Sequence, residues 1–173
     1  MSRYFKVPAE FPALHLQVFT QVYEFAGETN NVTLSTPQTD NPNIKTILVK
    51  GSIQLSYPDT DTPTQIVRAT GRVWPTDEAI GKTKVSSVML ENDVEVMCVQ
   101  PYDTYKITYN THYLAPGESV TVQAGVLVFV FGTDYTVNAG AHSSFQIFAL
   151  QNSDATIAAT SDTKVVVFKA IQK

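Results

Sequence analysis

Only one cysteine, Cys98, occurs in the 173 residues, so no intrachain disulfide framework exists and nothing marks an oxidising compartment. In "VEVMCVQ" the thiol shares a strand face with Val94 and Val96. No charged activator stands beside it, and a buried, inert side chain is expected. Charge is scarce too, at 16% of residues against about 25% in an average chain. The net charge is −4, and from Lys106 to Lys164 no cationic residue intervenes, only Glu118, Asp134, Asp154 and Asp162. Without clustered Lys and Arg, a nucleic-acid partner and an anionic lipid surface are both excluded. No segment approaches the roughly 20 apolar residues of a membrane span. "MSRYFKVPAEFPALH" holds no apolar run long enough for a secretory leader.

Catalytic signatures are equally sparse. The three histidines, His15, His112 and His142, have no ligand spacing to one another. There is no Gly-rich phosphate loop, no G-x-S-x-G elbow and no H-E-x-x-H. Asp59 and Asp61 suit a turn, and Glu91, Asp93 and Glu95 a solvated sheet edge. His142, in "NAGAHSS", is read as a turn residue.

What the chain does have is threonine and valine, roughly twenty of each, a usage that suits half-buried strands. Short apolar runs alternate with turn residues nearly end to end. From Lys106 the spacing predicts strands at 106–114, 119–123, 126–131, 135–138, 144–150, 155–160 and 164–171. Short turns separate them, and such a series indicates a β-sandwich or barrel. One all-β domain is expected over 1–173, with an extended arm at 1–13, a strand region at 14–93 and a barrel at 94–171. "VLVFVF" is apolar on both faces: Val126, Val128 and Val130 point one way, Leu127, Phe129 and Phe131 the other. Such a strand must be covered twice.

"LAPGESVTVQAGVLVFVFGTDYTV" resembles the cupin double-stranded β-helix, in which a Pro-Gly turn precedes a strand and a strand ending in Gly leads into a hairpin. "FQIFAL…ATIAATSDTKVVVF" resembles the closing strands of the same barrel, and the pattern shades into the viral jelly rolls. The resemblance implies a jelly-roll or cupin-like barrel. Cupins that do chemistry generally carry two His separated by one residue, then a Glu, between the Pro-Gly turn and the Gly, with a further His on later strands. From Gly117 to Gly132 this chain has no His, and its only Glu is Glu118. The metal chemistry implied by the family therefore does not carry over, and no metal or other cofactor is expected.

"YKITYNTHY" places Tyr105, Ile107, Tyr109, Thr111 and Tyr113 on one strand face, and Lys106, Thr108, Asn110 and His112 on the other. The tyrosines suit either a stacking platform for a sugar or a packed interface. His112 with a carboxylate such as Glu118 or Asp134 would suit acid–base work, as in sugar epimerases of similar fold.

A barrel without catalytic ligands and with a charge-poor surface points to a structural, non-catalytic assembly protein. In its sharpest form this is a bacteriophage virion component, a capsid decoration or cement protein. It would act as a homo-oligomer such as a trimer, with other capsid or assembly proteins, in the virion or the host cytoplasm. The expected contacts are Tyr4, Phe5, Phe11, Leu127, Phe129 and Phe131. The alternative is a cupin-like sugar-binding or sugar-isomerising protein, its site formed by Tyr105, Tyr109, Tyr113 and His112.

Overall fold

The structure, a computed structural model, describes residues 3–5, 9–23, 30–32, 43–56, 64–67, 70–74, 87–90 and 93–173. Asp59, Asp61 and Glu91 lie outside the described residues, as do the side chains of Tyr4 and Phe5. Among the described residues there is no α-helix, only strands and one 3₁₀ turn at Pro12–Leu14. Among the described residues no helix is long and apolar enough to cross a membrane.

Two compact units divide the chain, Met1–Glu10 with Gln17–Gln100, and Phe11–Leu16 with Pro101–Lys173. The strands of the first are β1 (Arg3–Phe5), β2 (Ala9–Phe11), β3 (Leu16–Tyr23), β4 (Asn30–Val32), β5 (Lys45–Lys50), β6 (Ile53–Ser56), β7 (Thr64–Val67), β8 (Val73–Trp74), β9 (Ser87–Leu90) and β10 (Val94–Pro101). They form a sheet in the order β1-β3-β10-β5-β8, with β2 also on β3, and a second sheet in the order β4-β9-β6-β7. Arg3–Phe5, within the expected extended arm, pairs antiparallel with β3. Residues 94–100, expected in the barrel, form the central strand of the first unit's sheet. In β10, Val94, Val96 and Cys98 are buried at alternate positions, as a period of two requires.

The second unit contains β11 (Tyr105–Leu114), β12 (Ser119–Val122), β13 (Val126–Phe131), β14 (Tyr135–Val137), β15 (Gly140–His142), β16 (Gln146–Leu150), β17 (Ala155–Ala159) and β18 (Thr163–Gln172). These strands form two four-stranded antiparallel sheets, β11-β18-β13-β16 and β12-β17-β14-β15. Along the chain every connection changes sheet except the β14–β15 hairpin, and the first strand pairs with the last. That winding is the two-Greek-key path of a jelly roll. Its interior is a cluster of Leu114, Val122, Val126, Val128, Val130, Tyr135, Ile157, Ala159, Val165 and Val167. As its two-faced pattern demands, β13 is buried from Val126 through Val130.

Two glycines show why the turns fall where they do. Gly117 has φ +90°, and the Glu118 N–H donates to the Ala115 carbonyl at 2.9 Å. With Pro116 before it, this is a type II turn whose third residue must be left-handed. Gly132 is required for space instead: a Cβ there would stand 2.9 Å from Thr163 Oγ1 and 3.1 Å from Tyr135 Cδ1. Gly132→Ala should therefore cost about 1–3 kcal/mol by overpacking. Urea denaturation checks this, and an unchanged midpoint would refute the crowding.

His142 is not a turn residue. It pairs with Tyr135 across the hairpin and stacks on that ring at 5.5 Å. The turn sits just before it, where Asn138 and Ala139 take positive φ. Tyr135 itself is fully buried, and its hydroxyl donates to the Ser144 carbonyl at 2.7 Å.

Candidate functional site

The site lies in β11, and its register with β18 decides which side chains it presents. Leu114 pairs with Thr163, His112 with Val165, Asn110 with Val167 and Thr108 with Lys169. Directly opposed residues share a sheet face, so Thr108, Asn110 and His112 lie on the face of Val165 and Val167, both in the interior cluster. The row from Leu114 outward runs buried, half-buried, exposed, exposed through His112, Asn110 and Thr108. Thus the core-facing row of β11 turns polar as it leaves the core.

A cleft of about 250 Å³ opens there, bordered by β11, by β12 and the start of β13, and by β18. Thr108, Asn110, His112, Gln123 and Lys169 supply its polar atoms, and Val122, Val126 and Val167 its apolar wall. Thr121 also borders it, with its hydroxyl 3.1 Å from that of Thr156. The β11 and β12 strands are the edges of their two sheets, so the cleft occupies the open side of the sandwich. Sequence reasoning placed Thr108, Asn110 and His112 on one face but did not find Gln123 or Lys169. The signal available was Leu114, whose apolar side chain fixes the inward face.

The three tyrosines have different surroundings. Tyr105 stacks on His15, rings 4.1 Å apart at 13°. Tyr109 packs at 6.2 Å from Phe168 and borders the cleft. Tyr113 is 72% exposed, with Lys164 Nζ 5.2 Å from its ring centre. Each ring thus has a different neighbour, and His112 faces away from all three.

Neither carboxylate expected beside His112 lines the cleft. Glu118 Oε1 accepts the Ala115 N–H at 2.7 Å, closing its own turn, and Asp134 sits in the exposed turn after β13. Of the expected assembly contacts, Leu127 and Phe129 have no exposed surface, which removes them as contacts to a second chain. Phe131 is half-buried, stacked on Phe145 at 4.7 Å, and Phe11 is also half-buried.

The cleft does not fit the metal of the family it resembles. A hard or borderline cation takes three or four convergent N or O donors, in part anionic. Here one imidazole stands among amides, hydroxyls and an ammonium. Among the described residues no group of three His, Cys, Asp or Glu converges. The lining residues Thr121, Val122, Gln123, Ala124 and Val126 fall between Gly117 and Gly132. That is the interval in which the family carries its first ligands.

No protein-family model matches the chain, and neither does any curated protein sequence. Solved structures do. A cupin 2 conserved barrel domain protein from Leptotrichia buccalis superposes with a TM-score of 0.57 at 9% identity, over 98% of this chain and 89% of that one. A conserved protein of unknown function from Pseudomonas aeruginosa PAO1 superposes with a TM-score of 0.51 at 7% identity, over 92% and 83%. At such identities the likeness is one of fold. The two sheets, their winding and these neighbours together make this an all-β chain with a cupin-like β-sandwich fold.

Proposed function

We propose that this protein is a metal-independent binder of small polyhydroxylated ligands, of single-sugar size, held in the cleft between β11, β12 and β18. The observation that carries this reading is the polar continuation of a core-facing row, from Leu114 to His112, Asn110 and Thr108. Amides and hydroxyls both donate and accept hydrogen bonds, which suits sugar hydroxyls. The strip of Val122, Val126 and Val167 suits the C–H face of a sugar ring. At about 250 Å³ the cleft lies just below the common range of small-molecule pockets, about 300–1,000 Å³, and so favours one ring over a larger cofactor.

The cupin-like likeness supports this alternative over the virion reading. Among the residues lining the cleft His112 has no carboxylate beside it to form the acid–base pair that isomerisation would use. Binding, without isomerisation, is therefore the role we adopt.

Calorimetric titration with D-glucose, D-galactose and D-glucuronate, in the presence of a chelator, tests it. At least one should bind saturably at about millimolar or tighter, and chelation should leave the affinity unchanged. Asn110→Leu should weaken binding about tenfold, since it replaces a hydrogen-bonding amide with an alkyl group. Absence of saturable binding, or binding lost with the metal, would overturn the proposal.

A further inference from the structure

The charge of the mouth points to the kind of sugar it takes. The chain as a whole is acidic, at −4, yet the cleft is lined by one formal charge, the ammonium of Lys169. Lys169 stands directly opposite Thr108, and Lys106 opposite Ile171. By the period of two, Lys106 continues the row of His112, Asn110 and Thr108 on the same face. Lys106 and Lys169 are diagonal neighbours, within reach of one ligand group. Both are exposed, so each keeps its hydration until a ligand arrives.

Among the described residues no carboxylate lines the cleft. Asp154 is the carboxylate bonded to its wall, with Oδ1 accepting the Ala124 N–H at 2.8 Å. Asp154 itself is not one of the residues that line the cleft. The remaining polar side chains, Asn110, His112 and Gln123, can each present an N–H. A cationic ligand or metal would meet like charge here. An anionic oxygen would meet an ammonium and several donors, and such charge-assisted bonds are about twice as strong as neutral ones.

Resting on the binding role proposed above, we infer that the mouth selects a carboxylate-bearing sugar, a uronate of single-ring size, over its neutral counterpart. Lys169 supplies the positive charge that a metal supplies in the chemically active members of the family this chain resembles. The ligand carboxylate sits at the Lys169 end and the ring hydroxyls reach Asn110 and Gln123.

D-glucuronate and D-glucose differ only in bearing a carboxylate or a hydroxymethyl group at one carbon. Their affinities should be measured at low salt for the wild type, Lys169→Met and Lys169→Arg. The wild type should prefer glucuronate about tenfold, and the preference should shrink as salt is added. Lys169→Met should bring the two affinities to within about twofold of each other, while Lys169→Arg keeps the preference. Equal wild-type affinities, or a preference that survives Lys169→Met, would overturn the inference and leave the binding role standing. Failure of both sugars, and of D-galactose, to bind would take down the binding role and this inference together.

Discussion

Phe129→Ala should destabilise the protein by about 3–5 kcal/mol, the cost of emptying a fully buried aromatic site. Phe129 lies mid-strand in β13, between Val166 of β18 and Ile147 of β16, with no exposed surface. Its ring is 5.3 Å from that of Phe168, edge to face, and 6.0 Å from that of Phe145. Removing it deletes both ring contacts and leaves a void that close-packed neighbours cannot fill without shifting. Tyr113→Ala is the matched control, because that ring is 72% exposed and surface changes usually stay within about 0.5 kcal/mol. Urea denaturation of the two variants reads the difference. Equal midpoints would mean that the second face of β13 is not packed as described.

The other large effect is one of pH. Burial pushes the Cys98 thiol up to about 12, partly offset by the Thr46 hydroxyl 3.6 Å from Sγ. An unfolded thiol ionises near pH 9, so above that pH the unfolded state loses its proton while the folded state keeps it. The thiol's contribution to stability is intact below about pH 9. It falls by about 1.4 kcal/mol per pH unit until the folded thiol also ionises. By pH 10.5 the loss should reach about 2 kcal/mol, and near pH 12 about 4 kcal/mol. Cys98→Val has no proton to lose, so its stability should gain on the wild type by those amounts. Denaturation curves for both proteins at pH 8, 9.5 and 10.5 measure the gap. A gap that stays constant with pH would show that the thiol is open to solvent. This result also bears on function, since a thiol held protonated is no nucleophile.

From β11 onward most strands are legible because short runs, alternating as in β11 or apolar throughout as in β13, end at turn residues with a local cause. Gly117 and Gly132 are examples, one set by conformation and the other by space. The β15 strand was missed for the opposite reason. Its three residues, Gly140–His142, have no apolar alternation of their own and are held by pairing to β14. The division at Gln100 was hidden as well, because β10 and β11 read alike as strands. What separates them is partner choice, β5 for β10 and β18 for β11.

Within the site, both faces of β11 are legible in the sequence, but alternation alone does not say whether the tyrosine face meets a ligand or packed neighbours. Register with β18 is what gives the other face its meaning. It sets His112 against Val165 and Thr108 against Lys169, and pairing across 61 residues cannot be read from one strand alone. A lysine near the end of a strand, as Lys169 is, carries no signal of a cleft in the sequence alone. It borders a cleft only once β11 lies beside it.

The central claim is that the polar mouth of a cupin-like sandwich binds a small ligand without a metal. Its most direct test is a ¹H–¹⁵N correlation spectrum of labelled protein, titrated with D-glucuronate in the presence of a chelator. Saturable shifts concentrated at Thr108, Asn110, His112, Gln123 and Lys169, unchanged by the chelator, are the predicted result. Shifts at Tyr105 and Tyr113 instead, shifts that require added metal, or none at saturating ligand, would contradict it.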